Sequence, residues 1–502
     1  MDVFSNLLQG FAAAITPYNL LFAFLGALIG TAIGVLPGLG PAATIAMLLP
    51  ITYWTPPLPA IIMLAGIYYG SMYGGSTTSI LLNIPGEASS VVTCVDGNKM
   101  AQKGRAGAAL GIAAISSFVA GTGAIIGLTL FGPPLASFAL QFGPAEKFAL
   151  AFVGLMLAVT MSGGSKIKGF IMVMMGIFLA TVGEDPITGT LRFTYGISGL
   201  ESGFDFVTLA MGIFGIGEIL YSMDSMEKTE IIKTKIRNIF PTLQDLIRSR
   251  GAIFRGTVLG FLFGVIPGGG ATISSVTSYA LERKVSKHPE EFGEGAIEGV
   301  AGPEAANNAA SSSSFIPMLT LGIPGTAATS IIFTAMVMKG VTPGPFLAST
   351  HPEVFWGVIA SMYIGNIMLL FLNLPLVGIW VQMLKIPYYV LCPLIILFST
   401  IGVYSTNNNP FDIIVMLMFG VVGYLLKKFK FSSSALMIAF VLADLIENSL
   451  RQALLISGGD LRILVTRPIS GAIFGCFGLI VVVQVIFKVW LRLRQAKSIK
   501  TA

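Results

Sequence analysis

Charge is what this sequence has least of. Only 11% of its 502 residues are Asp, Glu, Lys or Arg, where soluble domains carry about 25%. Residues 17–82 and 106–142 contain none at all. So little polar surface cannot coat a soluble fold of this length. Histidine is almost missing as well. His288 and His351 stand beside prolines in loop-like stretches, where solvation is expected. Three cysteines, Cys94, Cys392 and Cys476, lie far apart. They form no disulfide framework and no metal-type spacing, and packing roles are expected for them. No HExxH and no GxxxxGK[ST] occurs, which argues against a zinc protease and an ATP-driven pump. The two-residue alternation of an outer-membrane barrel is not visible either.

What is abundant is apolar. Hydrophobic residues make up 54% of the chain, and mean hydropathy is +0.83. A spanning helix needs about 20 apolar residues, so the chain reads as an all-α polytopic membrane protein, with roughly 11–14 membrane segments. The start, MDVFSNLLQG, carries an acid where a signal peptide would be basic, so no cleaved leader is expected. The net charge of +6 resides in loops and the tail. That distribution suggests cytoplasmic loops and no nucleic acid as a partner.

Two stretches repeat each other. GVLPGLGPAAT (34–44) and GVIPGGGATIS (264–274) are 264 − 34 = 230 residues apart. NIPGEAS (83–89) matches GIPGTAA (322–328) at an offset of 324 − 85 = 239. Nine residues are therefore inserted between the two features, and the stretch ERKVSKHPEEFGEG accounts for them. Glu218 and Glu447 fall at 447 − 218 = 229. The order is conserved, so two structural repeats are expected: 1–226, then a basic cytoplasmic linker at 227–255, then 256–468. An extra C-terminal helix and cytoplasmic tail follow at 469–502. Placing basic loops on one side makes the two repeats inverted.

Proline within a helix removes a donor and clashes with the preceding turn, while glycine permits left-handed angles and close approach. Together they write broken or re-entrant helical hairpins. Broken backbone is tolerated in a membrane only where protein or a water-filled cavity satisfies it. Equivalent breaks in two repeats mark a central transporter-type site, with half-helix N-termini aimed at an anion. Candidate substrate-binding residues are Gly38, Gly40, Gly74, Ser76, Thr77 and Asn83 in the first half. Those in the second are Gly268, Gly270, Asn307, Asn308, Ser312, Gly325 and Thr326. Residues 307–314 hold six hydrogen-bonding side chains, which are costly in lipid and cheap beside water. Two alternatives stay open: turns at the membrane surface, and small-residue helix packing.

Glu87 and Glu304 are the candidate ion-coupling residues, holding Na⁺ or a proton. Glu87 reads equally as a solvated hairpin tip. Asp96, in CVDGNK, reads as a turn residue. Asp444 and Glu447 share a helix face and are expected to pair with Arg451. Fixed cations are scarce within the spans, which favours amides, hydroxyls and co-bound cations over an arginine clamp.

Three long strings carry a family resemblance: GVLPGLGPAATIAMLLPIT, YYGSMYGGSTTSILLNIPGEASSVVTCVDG and GPEAANNAASSSSFIPMLTLGIPGTAATS. Across nearly its whole length the chain resembles the large membrane subunit of bacterial tripartite tricarboxylate transporters. That resemblance implies a small membrane subunit of about four helices and a periplasmic solute-binding protein as partners. It implies secondary transport of citrate or related carboxylates, coupled to Na⁺ or H⁺, in the bacterial inner membrane. No cofactor is implied beyond the coupling ion, and no enzymatic activity; a homodimer is compatible with it. An anion channel, or a carrier for a non-carboxylate solute, is the alternative.

Overall fold

The computed structural model describes residues 3–36, 40–161, 165–185, 187–224, 239–383, 388–479 and 481–482. The chain is a bundle of helices with one short β-hairpin. The first half runs α1 (Val3–Ala14), α2 (Pro17–Val35), α3 (Pro41–Thr52), α4 (Pro57–Leu82), a 3₁₀ turn at Ala88–Ser90, and α5 (Val91–Gln102). It continues with α6 (Ala106–Ala139), α7 (Pro144–Met161) and α8 (Lys166–Ala180). The hairpin of β1 (Gly183–Glu184) and β2 (Leu191–Arg192) follows. Then α9 (Phe206–Ala210) passes through a π-helical stretch, Met211–Ile216, into α10 (Gly217–Asp224).

The second half begins with α11 (Leu243–Val265), α12 (Gly270–Val285), α13 (Glu298–Ser313), α14 (Phe315–Leu321) and α15 (Ala327–Met338). After the single turn α16 (Leu347–Thr350) come α17 (Pro352–Asn373), α18 (Val377–Met383), α19 (Tyr388–Asn407), α20 (Pro410–Lys428) and α21 (Ser433–Ile456). The short α22 (Ile463–Thr466) precedes an apolar helix at Pro468–Leu479. Six described helices are long and apolar enough to cross a membrane, and several shorter apolar helices accompany them. The protein is an all-α polytopic membrane protein.

Three elements differ from the sequence reading. Residues 91–102 form helix α5, which puts Asp96, read as a turn residue, inside a helix. Helix α11 starts at Leu243, inside the segment read as a linker, behind a Thr242–Asp245 capping box. The linker residues 227–238, residue 480 within the extra helix, and residues 483–502, its end and the tail, lie outside the described residues. Cys94 and Cys392 are buried as expected, but Cys476 is exposed and is not a packing residue.

The helices that lead into the two Pro-Gly motifs end with the same backbone. Helix α2 ends at Leu36 with φ −86° and ψ 112°; α11 ends at Ile266, 230 residues on, with φ −84° and ψ 119°. A proline then opens α3 at its first position, where a missing N–H costs nothing. In the second break Gly268 has φ +80°, a conformation that L side chains rarely adopt. The helices before the second matched motif also end alike. Asn83 caps α4 at φ 57° and Gly322 caps α14 at φ 72°, both left-handed C-terminal caps.

Close packing repeats too. A Cβ at Gly26, Gly30 or Gly34 of α2 would strike the carbonyl oxygens of Met63, Ile67 and Ser71 on α4. A Cβ at Gly256, Gly260 or Gly264 of α11 would strike those of Gly302, Ala306 and Ala310 on α13. The glycines match at an offset of 230 and the carbonyls at 239. Small residues every fourth position let two backbones touch, so each ladder holds a helix pair at the closest spacing available. The nine extra residues go into α12 and its connection to α13, between the two matched features.

Ion pairs gather at the two ends of the bundle. One end holds Arg105–Asp245, Arg248–Glu298, Arg255–Glu282 and Lys428–Asp224. The other holds the Asp185, Arg192, Glu447 and Arg451 cluster and Arg467–Glu146. Between them lies a buried polar layer.

Candidate functional site

That polar layer forms where α4, α5, α6 and α13 converge, beside the loop joining α4 to α5. Glu304 is fully buried on α13. Its Oε2 accepts from Ser76 Oγ on α4 at 2.6 Å, and its Oε1 from Thr93 Oγ1 on α5 at 2.5 Å. One turn on, Asn308 Nδ2 donates to Ser117 Oγ of α6 at 2.7 Å and to the Glu304 carbonyl at 3.1 Å. A carboxylate from one half is thus held by hydroxyls of the other.

Glu87 sits at the N-cap of the 3₁₀ turn, in a capping box with Ser90. Its carboxylate accepts from the Ser89 amide at 3.1 Å, from the Ser89 hydroxyl, and from Asn307 Nδ2 at 3.2 Å. Asn307 Oδ1 is buried without a partner. Glu87 is therefore not a solvated tip: it faces the second half. No Lys, Arg or His forms an ion pair with Glu87 or Glu304 among the described residues.

The second break mirrors this arrangement with different chemistry. Thr326 occupies the N-cap of α15 in a capping box with Thr329, and 326 − 87 = 239. Its hydroxyl donates to Tyr68 Oη at 3.5 Å, and 307 − 68 = 239. The contact Glu87–Asn307 and the contact Thr326–Tyr68 are reciprocal, each joining the cap of one half to the long helix of the other. The first cap is a carboxylate and the second a hydroxyl. Gly268 N donates to the Gly325 carbonyl at 3.0 Å, which ties the second hairpin break to the loop before α15.

The other sequence candidates sort by position. Thr77 lines a small recess with Tyr73, Ser76, Ser117 and Asn373. Gly74 packs against Thr31 and Gly34 and belongs to the first ladder. Gly40 caps α3, and its carbonyl accepts from Thr44. Gly270 opens α12 with φ +54°. Ser312 is buried on α13. The Asn83 side chain is exposed at the end of α4 and stands apart from the carboxylates. Gly38 lies outside the described residues.

Sequence reasoning missed Thr93, Ser117 and Ser89, single hydroxyls in apolar surroundings. It also missed Asn366, which accepts from Tyr73 Oη at 2.6 Å and donates to Thr122 and the Phe118 carbonyl, both at 2.9 Å. An amide alone in an apolar helix was the available signal. Asp96 is a correction. It is buried in α5, not in a turn. Its Oδ1 accepts the backbone N–H groups of Gly293, Gly295 and Ala296 at 2.8, 2.7 and 3.0 Å, and its Oδ2 accepts from Tyr279 Oη at 2.8 Å. Arg451 pairs with Glu447 as expected, at 2.6 Å, and with Asp185 at 3.0 Å; Asp444 forms no ion pair with it.

One buried and one half-buried carboxylate, Glu304 and Glu87, stand among hydroxyl and amide groups with no basic side chain paired to them among the described residues, and can bind a small cation or a proton. An anion entering this layer would meet backbone and side-chain donors, together with whatever cation the carboxylates hold. Among the described residues no group of three or more His, Cys, Asp or Glu is placed to hold a metal.

A protein of Agrobacterium vitis described as an uncharacterized 52.8 kDa protein in the TAR-I ttuC' 3' region is 50% identical over 473 residues, covering 94% of each chain. A second from the same organism, an uncharacterized protein in the TAR-II ttuC' 3' region, is 51% identical over 224 residues, covering 45% of this chain and 92% of the relative. No solved structure matches. The model of the tripartite tricarboxylate transporter TctA family matches residues 20–438, and the chain belongs to that family.

Proposed function

We propose that the chain is the membrane permease subunit of a binding-protein-dependent secondary carrier that imports tricarboxylates or related carboxylates. The observation that carries this reading is the buried layer in which Glu304 and Glu87 are each held by residues of the opposite half. Such a layer lies where two repeats would move against each other in alternating access. The carboxylates take up Na⁺ or a proton, and the co-bound charge offsets the anionic substrate. Ser76, Thr77, Asn307, Asn308 and Thr326 supply its hydrogen bonds, and the N-termini of α3 and α15 its helix-dipole field.

The end carrying Arg105, Arg248 and Arg255 faces the cytoplasm of the bacterial inner membrane, by the bias of basic loops. The two halves then stand in opposite orientation, as inverted repeats. A small membrane subunit and a periplasmic solute-binding protein complete the assembly, and the binding protein selects the carboxylate.

The test is uptake of labelled citrate and a panel of other carboxylates into vesicles holding this chain and its small membrane partner. The assay runs with and without the binding protein, under separate Na⁺ and pH gradients. Uptake that requires the binding protein and one gradient is expected, and the gradient identifies the ion. Conductive flux independent of either gradient would mark a channel instead.

A further inference from the structure

A cavity also lies outside the polar layer. It lies at the end opposite the basic loops and has a volume of about 410 Å³, within the range of small-molecule sites. Thr52, Tyr53 and Thr55 line it from the α3–α4 turn, Ser405 and Thr406 from the end of α19, and Lys339 from the end of α15. Lys339 is the single charged residue in the lining. Its Nζ donates to the Tyr53 carbonyl at 2.5 Å and stands 5.5 Å from the centre of the Tyr53 ring. Among the described residues no carboxylate pairs with it. Tyr53 and Trp54 are exposed at the rim, Trp54 to 87%, as aromatic side chains are at a membrane–water interface.

The position of the cavity in the fold gives it meaning. Helices α3 and α15 are in contact and have twelve residues each, about 18 Å of rise. Both begin at a break, α3 after residues 36–40 and α15 after the Gly322–Thr326 loop. Both end in this cavity. The packed pair runs from the cavity, with its one cation, to Thr326 at the N-cap of α15, where it meets Tyr68. No other charged lining residue competes for an anion at the mouth.

We propose that this cavity is a capture vestibule, in which Lys339 holds one carboxylate group of the incoming substrate before it passes between α3 and α15. The proposal deepens the carrier reading above and rests on it. Lys339 keeps two N–H donors beyond the one given to Tyr53, and the neighbouring hydroxyls can turn to donate. The competing role for Lys339 is to neutralise the carbonyl ends of α3 and α15, which would be purely structural.

Two measurements separate these roles. The first is the concentration dependence of citrate uptake by the full three-component system. For Lys339→Gln a rise in KM of about 10-fold is expected, with the saturating rate kept; Lys339→Arg is expected to restore KM. A lowered melting temperature and rate at unchanged KM would assign Lys339 to structure alone and overturn the proposal. The second does not depend on transport, so it still decides if the carrier reading fails. Thr406→Cys, in a chain carrying Cys476→Ser, is labelled with an anionic and with an uncharged methanethiosulfonate reagent. The anionic reagent is expected to be favoured in the presence of Lys339, to lose that advantage in Lys339→Gln, and to be blocked by citrate. Equal labelling of both chains would overturn the vestibule. So would blocking by vesicles containing phosphatidylglycerol but not by citrate, which would make the cavity a lipid headgroup site.

Discussion

Ser76 Oγ lies 2.6 Å from Glu304 Oε2, and 228 residues of chain separate them. Thr93 closes the other side of the same carboxylate. Glu304 is therefore shared between the halves. Glu304→Ala would leave two buried hydroxyls without their acceptor and remove the charge; a fall in uptake of at least about 10-fold is expected. Glu304→Gln keeps the shape and part of the hydrogen bonding. It is expected to insert and melt as the parent does, yet to lose uptake as fully as the alanine variant. Membrane abundance, melting temperature and uptake measured side by side check this, and normal uptake in Glu304→Gln would remove the carboxylate from coupling.

The two glycine ladders make a paired prediction. Gly30→Val and Gly260→Val each push a side chain into a backbone carbonyl, of Ile67 and of Ala306. Overpacking of this kind costs about 1–3 kcal/mol, and similar losses are expected at both sites. At Gly40 an added Cβ meets nothing within 4 Å, so Gly40→Ala is expected to be near neutral. Thermal denaturation in detergent compares the three.

Asp96 fastens α5 to the connection between α12 and α13. Asp96→Ala leaves three N–H groups and the Tyr279 hydroxyl without their acceptor, a loss of about 1–3 kcal/mol. The connection at 286–297 should then become accessible to protease beside Lys284 and Lys287, with Asp96→Asn intermediate. Limited proteolysis of reconstituted protein reads this directly; unchanged cleavage would show that the loop is held by other contacts.

The hairpin of β1 and β2 is tied to α21 by Asp185, and the guanidinium groups of Arg451 and Arg192, with backbone N–H donors, hold the Asp185 carboxyl well below the usual carboxylate range. A depressed folded pKa contributes stability above the unfolded value, about 3.9 for Asp, and loses it as pH falls through the folded value. The clasp should therefore survive at about pH 4. In Arg451→Met the carboxyl returns toward its ordinary range, and the loss moves to higher pH. Hydrogen exchange at Gly189 N–H, which donates to the Asp185 carbonyl at 2.8 Å, follows it; an identical pH profile in the variant would count against the clasp.

Much of this was legible because it is local. The Pro-Gly breaks announce themselves by recurring at matched places in the two halves, and Asn307 and Asn308 open a run of side chains too polar for lipid. Glu304 was visible as an acid leading that run. Thr93 and Ser117 were not, since one hydroxyl in an apolar helix looks the same whether it packs or binds. Asp96 was misread because its partners are backbone amides some 200 residues away, which have no signature in sequence. The reciprocity of Glu87–Asn307 and Thr326–Tyr68 needed distances, because Glu and Thr share little beyond an oxygen at an N-cap.

The glycine ladders also determine what can move. With no side chain between them, α2 and α4 meet backbone to backbone at successive turns, as do α11 and α13. Neither member can slide along its partner without a jump of a whole turn, about 5.4 Å. Each pair is therefore a rigid body. Whatever rearrangement carries a solute across must take place at the seam between the bodies, where the bonds to be exchanged are few and polar: Ser76 to Glu304, Asn307 to Glu87, Thr326 to Tyr68.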